Sequence, residues 1–210
     1  MGEIMAGLLG KKVRMTQIFD DLGKVIPVTV ISAGPCYVTQ KKTVETDGYQ
    51  AIQIGFGDVK EKHINKPQLG HLKKNSIKPL RYLCEFEENT ETEYKVGDEL
   101  RVDMFSAGEN VTISGTSKGR GFQGAMRRHN FSGANKTHGQ SDRWRAPGSL
   151  GQSSYPSRVF KGQRMAGRMG NDRITISSAV VVKIDSERNL IYIKGSVPGS
   201  TNSLVEIKKR

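Results

Sequence analysis

Short runs of β-branched and aromatic residues recur along most of the chain, and turn-forming Gly, Pro, Asn or Asp often separates them. Runs of this kind at intervals of roughly 8–15 residues are typical of an all-β barrel or sandwich. The pattern predicts strands at residues 25–31, 37–42, 51–56, 82–87, 99–105, 111–114, 174–184, 190–194 and 204–208.

Helix signals are few. Residues 65–75 form the best short-helix candidate, with Asn65 as N-cap and Pro67 in the first turn. The dipeptide Asp47-Gly48 predicts a tight turn, because glycine adopts the left-handed backbone conformation that such turns need. We therefore predict a mostly β protein: a globular β-barrel core with one or two short helices.

The hydrophobic pattern stops between residues 115 and 173. These 59 residues hold 11 of the 24 glycines, and few large aliphatic side chains interrupt them. Such a segment buries too little apolar surface to offset the entropy lost on ordering it. We predict that residues 1–114 and 174–210 form the barrel, and that residues 115–173 form a long irregular arm inserted between two strands. An anionic partner is expected to order this arm.

The charge of the chain is concentrated in the same segment. The formal net charge is +12, and residues 115–173 contribute twelve basic and only two acidic side chains to it. Cations and aromatic rings alternate at residues 118–122 and 127–131, and the only Trp, Trp144, stands between two arginines. Arginine and lysine suit phosphate, and rings among cations suit stacking on RNA bases. The alternative for each ring is packing against protein.

Enzyme signals are weak. Residues 119–124 match G-x-G-x-x-G, but the buried strand before the motif and the long helix after it, which a dinucleotide fold requires, are not predicted. His138, Ser141 and Asp142 lie close together in a cationic loop without the strand-to-helix elbow of a catalytic serine. The histidines and cysteines show no metal-ligand spacing. We predict a non-enzyme with no cofactor, metal or small-molecule substrate; the rival functions are a nucleotide-binding enzyme and a DNA-compacting protein or nucleic-acid chaperone.

The predicted location is cytoplasmic, without a membrane partner. Two cysteines cannot form a disulfide framework, which favours a reducing compartment, where they serve as small core hydrophobes. No apolar run approaches the roughly 18 residues of a membrane span, and residues 1–9 lack the basic start of a secretory signal.

The arm also carries specific motifs. Gly115-Thr-Ser-Lys-Gly-Arg-Gly-Phe-Gln-Gly124 followed by Arg127-Arg-His-Asn-Phe131 resembles the signature of the bacterial ribosomal protein L3 (uL3) family. Further blocks occur in the order typical of that family, at residues 10–19, 26–31, 47–49, 65–71, 137–139, 147–152, 159–162, 165–170 and 194–199. The resemblance covers essentially the whole chain.

The resemblance implies a structural constituent of the large (50S) ribosomal subunit that acts in translation. It implies a primary 23S rRNA-binding protein that helps nucleate subunit assembly and has other large-subunit proteins as neighbours. The arm would run toward the peptidyl-transferase centre, with its tip at about residues 143–156. Arg14 departs from the family by replacing the usual Gly, and Ser154 stands where some members carry a methylated Gln.

The predicted RNA-binding residues are mostly cations, with a few aromatic or amide side chains among them. They are Lys11, Lys12, Arg14, Lys118, Arg120, Phe122, Arg127, Arg128, His129, Lys136, His138, Arg143, Trp144, Arg145, Gln152, Arg158, Lys161, Arg164, Arg168 and Arg173.

Overall fold

The computed structural model describes residues 7–87 and 94–209, and strands dominate it. The strands are β1 (Gly7–Phe19), β2 (Val25–Ala33), β3 (Cys36–Lys42), β4 (Ala51–Asp58), β5 (Leu80–Glu87), β6 (Glu99–Leu100), β7 (Asn110–Thr116), β8 (Gly121–Gln123), β9 (Gly167–Met169), β10 (Arg173–Asp185), β11 (Leu190–Lys194) and β12 (Leu204–Lys209). The α-helices are α1 (Val44–Asp47), α2 (Lys66–Lys74) and α3 (Ala125–His129), and 3-10 turns span Glu61–His63 and Val102–Met104. In these residues no helix is long and apolar enough to cross a membrane.

The described residues divide into two compact units. The first comprises the chain up to Thr116 and from Arg173 onward, and the second is Ser117–Asp172. The second unit is inserted between β7 and β10, which are themselves neighbours: Thr116 pairs with Arg173 in the ladder that joins them. The predicted fold class, a barrel core with an extension inserted between strands, is confirmed.

A closed six-stranded barrel forms the larger part of the first unit. Its strands follow the order β1-β12-β7-β10-β11-β2, and every neighbouring pair is antiparallel. Side chains alternate between the interior and the surface, as the period of two along a strand requires. Ile191 and Ile193 of β11 and Val205 and Ile207 of β12 are all almost fully buried. These strands were predicted from their runs of β-branched residues, and the structure adds which side chains of each run face the interior.

The 13-residue strand β1 was not predicted. Its first four residues, 7–10, are buried, but Lys11 and Lys12 then interrupt the apolar run. Lys12 is only 8% exposed, and its ammonium group donates a hydrogen bond to the carbonyl oxygen of Val197 at 2.8 Å. A lysine whose charge is satisfied inside the fold is compatible with a barrel strand, although the sequence pattern alone does not show it.

A four-stranded sheet with the order β5-β4-β3-β6 completes the first unit. The predicted strand at residues 99–105 is wrong after its first two residues, since a 3-10 turn follows β6. Val102 and Phe105 are both buried, and their spacing of three suits one helical turn better than strand alternation. The helix predicted at residues 65–75 is confirmed as α2.

Two further α-helices, α1 and α3, accompany α2 in the described residues. The total of three is one more than the upper end of the expected range of one or two. Each of the two is about one turn long. Helix α1 ends at Asp47, where the predicted turn dipeptide supplies Gly48 as a left-handed C-cap with φ of 82°. Helix α3 ends at Asn130, which is also left-handed with φ of 58°. Such short elements leave little periodic signal in a sequence.

Both cysteines are free thiols in the first unit. Cys36 is fully buried with its sulfur 3.4 Å from the carbonyl oxygen of Leu9, and burial raises its pKa to about 12. Cys84 is half-buried, and burial also raises its pKa above the usual value. Since the thiolate is the reactive form, the raised pKa values favour the protonated thiols, which accords with a packing role for both cysteines.

Candidate nucleic-acid interface

The unit Ser117–Asp172 carries eleven lysine or arginine side chains and two acidic ones, which gives it a net charge of +9. All eleven cations are exposed, and no carboxylate of residues 7–87 or 94–209 forms an ion pair with any of them. They are Lys118, Arg120, Arg127, Arg128, Lys136, Arg143, Arg145, Arg158, Lys161, Arg164 and Arg168. Their mutual repulsion favours binding of a polyanion.

A narrow two-stranded ladder forms one end of this unit. Strands β8 and β9 are antiparallel, and the N–H of Arg120 donates to the carbonyl oxygen of Met169 at 2.9 Å. Phe122 lies opposite Arg168 in the register, so the two side chains share one face of the ladder. Phe122 is 77% exposed. The ladder therefore presents an open aromatic ring beside a guanidinium, a pair suited to a base and a phosphate.

Gly170 follows the ladder in a conformation that excludes other residues. Its φ is +71°, and a Cβ at this position would lie well inside the van der Waals radius of the Lys118 carbonyl oxygen. Glycine is therefore required for the two chain segments to approach each other here.

We expect Gly170→Ala to distort the β8–β9 ladder, at a cost of about 1–3 kcal/mol. The variant is predicted to be cleaved faster within residues 117–172 by a protease, and to show weaker RNA binding if the sequence-based prediction of RNA binding by this unit is correct. Gly124→Ala is the matched control, since Gly124 has φ of −69° and open space around its Cβ position. Equal cleavage rates and affinities for the two variants would contradict the prediction.

Helix α3 places two of the predicted RNA-binding residues against the returning chain. The Nη1 atom of Arg128 donates to the carbonyl oxygen of Met165 at 2.9 Å, and Nε2 of His129 lies 3.0 Å from the same oxygen. The carbonyl only accepts, so Nε2 of His129 carries the proton in this contact. Both side chains thus hold the unit together. Arg128 keeps further N–H donors, since a guanidinium has five.

Trp144 is part of the scaffold as well as part of the surface. Its indole N–H donates to the carbonyl oxygen of Gln140 at 3.2 Å, and its own carbonyl oxygen accepts from the N–H of Ala134 at 3.0 Å. The side chain is nevertheless 41% exposed. Of the other predicted residues in this unit, Lys136, His138 and Gln152 are exposed.

The predicted residues of the first unit differ in their availability. Arg14 is exposed, and Lys11 is half-buried with its ammonium group 5.5 Å from the centre of the Tyr82 ring. Arg173 forms a bidentate ion pair with Glu206, with an Nη1–Oε1 distance of 2.8 Å, and this pair raises the pKa of Arg173. Lys12 is buried, and its ammonium group donates to the carbonyl oxygens of Val197 and Gly199, so we expect a structural role for it rather than RNA binding.

Replacing Lys12 by Met is expected to lower the free energy of unfolding by about 1–3 kcal/mol, because the carbonyl oxygens of Val197 and Gly199 lose a buried donor. Urea denaturation measures this loss. The salt dependence of RNA binding is expected to stay unchanged. The control is Lys24→Met, which removes an exposed cation from the same hairpin. If Lys12→Met instead weakens the salt dependence of RNA binding without lowering stability, Lys12 contacts RNA as the sequence predicted.

Three aromatic residues of the unit were missing from the predicted set. Tyr155 is 86% exposed, and Phe160 is 51% exposed with the guanidinium of Arg158 5.4 Å from its ring centre. Phe131 is half-buried and lines a cavity. Their common signal in the sequence is a ring within two residues of an arginine, a proline or a glycine inside the basic segment.

Comparison with known proteins agrees with the motifs. Residues 86–189 match the family model of ribosomal protein L3. The large ribosomal subunit protein uL3 of Heliobacterium modesticaldum is 55% identical, over 96% of this chain and 95% of its own length. The proteins of that name from Chloroherpeton thalassium and Petrotoga mobilis are each 54% identical, over 97% and 98% of this chain and 98% and 95% of their own lengths. The chain therefore belongs to the uL3 family of large ribosomal subunit proteins, as its motifs predicted.

Proposed function

We propose that this chain is a structural constituent of the large ribosomal subunit that binds 23S rRNA through residues 115–173. The observation that carries the proposal is the set of eleven exposed cations in a unit that contains two acids; none of these cations pairs with a carboxylate among residues 7–87 and 94–209. The names of its relatives support the same subunit. Ribosomal function in translation and a cytoplasmic location accord with membership of this bacterial family.

RNA accounts for the interface better than duplex DNA does. Six of the eleven cations of the unit lie on irregular chain between residues 130 and 166, with exposed rings among them. No recognition helix that could enter a DNA groove occurs in this unit, where α3 has only five residues. Irregular basic segments can follow the surfaces of packed RNA helices, where phosphates come from several directions and unstacked bases are available.

The finer parts of the proposal concern placement. The barrel would lie on the subunit surface beside neighbouring large-subunit proteins, and the arm would reach toward the peptidyl-transferase centre. Early binding of 23S rRNA by this chain would help to nucleate assembly of the subunit. The role is structural rather than enzymatic: the cations neutralise phosphates so that RNA helices can pack closely.

Sedimentation of a native extract tests the proposal. After sucrose-gradient centrifugation, the chain is expected to travel with the large subunit, to remain there in high salt, and to shift toward the top after ribonuclease treatment. A chain that stays at the top of both gradients would refute the ribosomal function.

A competition experiment distinguishes the proposed function from the rival one, a nucleic-acid chaperone or DNA-compacting protein. Purified protein is titrated with labelled 23S rRNA against unlabelled duplex DNA at equal nucleotide concentration. We expect rRNA to be preferred, because a fixed interface matches one RNA fold. Equal competition by both polymers would favour a nucleic-acid chaperone or DNA-compacting protein, which needs only charge.

A further inference from the structure

A cavity of about 650 Å³ lies within the unit Ser117–Asp172, between two short segments of irregular chain. The first segment is residues 130–134, directly after α3, and the second is residues 143–148. This volume lies within the range of 300–1,000 Å³ that is usual for ligand sites. The cavity opens widely to solvent, so a group attached to a longer chain can enter it.

Backbone contacts hold the two segments in place. Asn130 turns the chain out of α3 in the left-handed conformation, and the N–H of Ala134 bonds to the carbonyl oxygen of Trp144. Gly133 has φ of +75°, and a Cβ there would collide with that same carbonyl oxygen and approach Met126. The indole N–H of Trp144 fixes the second segment to Gln140. These backbone contacts define the walls of the cavity.

The lining combines one ring and one cation with small residues. Phe131 is half-buried and lines the cavity, while Arg143 is exposed and forms no ion pair with a described carboxylate. Asn130 and Ser132 add polar side chains that suit the edge of a base. The remaining lining residues are Gly133, Ala134, Ala146, Pro147 and Gly148, whose small side chains leave room for a planar group.

We propose that this cavity binds one unstacked nucleotide of the rRNA, with its base against Phe131 and its phosphate at Arg143. The inference rests on the proposed function and adds a defined site to it. A nucleotide fits because it joins a planar apolar face to an anion, and the lining offers one partner for each. Sequence-specific RNA recognition commonly places splayed-out bases on aromatic rings in this way.

Affinity of the full chain for a 23S rRNA transcript tests the role of the ring. Phe131→Leu is expected to lower this affinity at least about fivefold, the lower end of what one stacked base contributes. The slope of log affinity against log salt should not change, since no charge is removed. The control is Phe19→Leu, the same substitution at a ring that is 62% exposed in the first unit. Equal affinities of the two variants would overturn the site.

Arg143→Gln separates the charge from the ring. This variant is expected to flatten the salt slope by about 0.7–0.9, the value for one phosphate contact. In the wild-type chain, ultraviolet cross-linking to the transcript is expected to leave a nucleotide adduct on residues 130–134 or 143–148. An adduct elsewhere, with none on these segments, would overturn the site even if Phe131→Leu fails to fold.

The last test adds free nucleoside monophosphates to the cross-linking reaction. In excess, they are expected not to suppress the cross-link, because the remaining contacts of the arm hold the RNA. Suppression by free nucleotide, at unchanged rRNA affinity, would assign the cavity to a soluble ligand and overturn the proposal. If wild-type protein does not bind the transcript at all, the proposed function fails first. If wild-type protein binds the transcript, but Phe131→Leu and Arg143→Gln bind it as wild-type protein does, the nucleotide site fails while the proposed function stands.

Discussion

Simultaneous replacement of Lys118, Arg120, Arg127 and Arg168 by Gln is expected to lower the affinity for 23S rRNA by about a thousandfold at ~0.1 M salt. All four side chains are exposed and none forms an ion pair with a described carboxylate. Each phosphate contact contributes about 0.7–0.9 to the slope of log affinity against log salt, through release of counterions. If the wild-type protein meets about ten phosphates, its slope is about −7 to −9, and the variant should be flatter by about 3.

Binding isotherms at several salt concentrations measure both quantities. Arg128 stays unchanged in this variant because it bonds to the backbone of Met165, so its loss would mix folding with binding. The matched control replaces Lys60, Lys62, Lys74 and Arg188, four exposed cations of the first unit, by Gln. Net charge falls equally in both variants, so equal slopes would show that overall charge, rather than the unit Ser117–Asp172, binds the RNA.

Ile207→Ala is expected to have the largest effect on stability, because it should lower the free energy of unfolding by about 2–5 kcal/mol. Ile207 is fully buried on β12, opposite Leu8 of β1 and Ile113 of β7, so its side chain lies where three barrel strands meet. Truncation leaves a cavity that closely packed neighbours can fill only in part.

Urea denaturation measures the change as a lower midpoint at constant m-value. Ile174→Ala removes the same atoms from a side chain that is 46% exposed on β10, and is expected to change stability by less than about 0.5 kcal/mol. The comparison isolates burial, because residue type and strand environment are similar. A loss at Ile207 no larger than that at Ile174 would contradict the central place of β12 in the barrel.

The basic segment illustrates what can be predicted without a structure. Its boundaries follow from composition, since glycine and cations replace the β-branched residues at residue 115 and give way to them again after residue 173. The extent of the unit, Ser117–Asp172, lies within those limits. Composition could not indicate that residues 130–134 and 143–148 form one cavity, because this depends on the backbone bond between Ala134 and Trp144.

The cations of the first unit illustrate the opposite case. Lys11, Lys12 and Arg14 look alike in the sequence, and all three were assigned to RNA. Their environments in the fold differ. Lys12 is buried and bonds to the segment containing Val197 and Gly199, whereas Arg14 remains exposed. Arg173 was likewise assigned to RNA, but strand pairing brings it to Glu206, a residue 33 positions away. Charge type is local information, whereas the partner of a charge depends on the fold.

The sequence alone determined the mostly β class of the protein and the family to which it belongs, and it predicted a basic arm at residues 115–173. These properties rest on local composition, on runs of β-branched and aromatic residues between turn formers, and on ordered motifs, all of which can be seen in neighbouring residues. The tertiary structure decided the order of strands in the barrel, the enclosure of Lys12 and the cavity beside Phe131. Each depends on contacts between residues far apart in the chain. These contacts form only when the chain folds, so no local stretch of sequence reveals them.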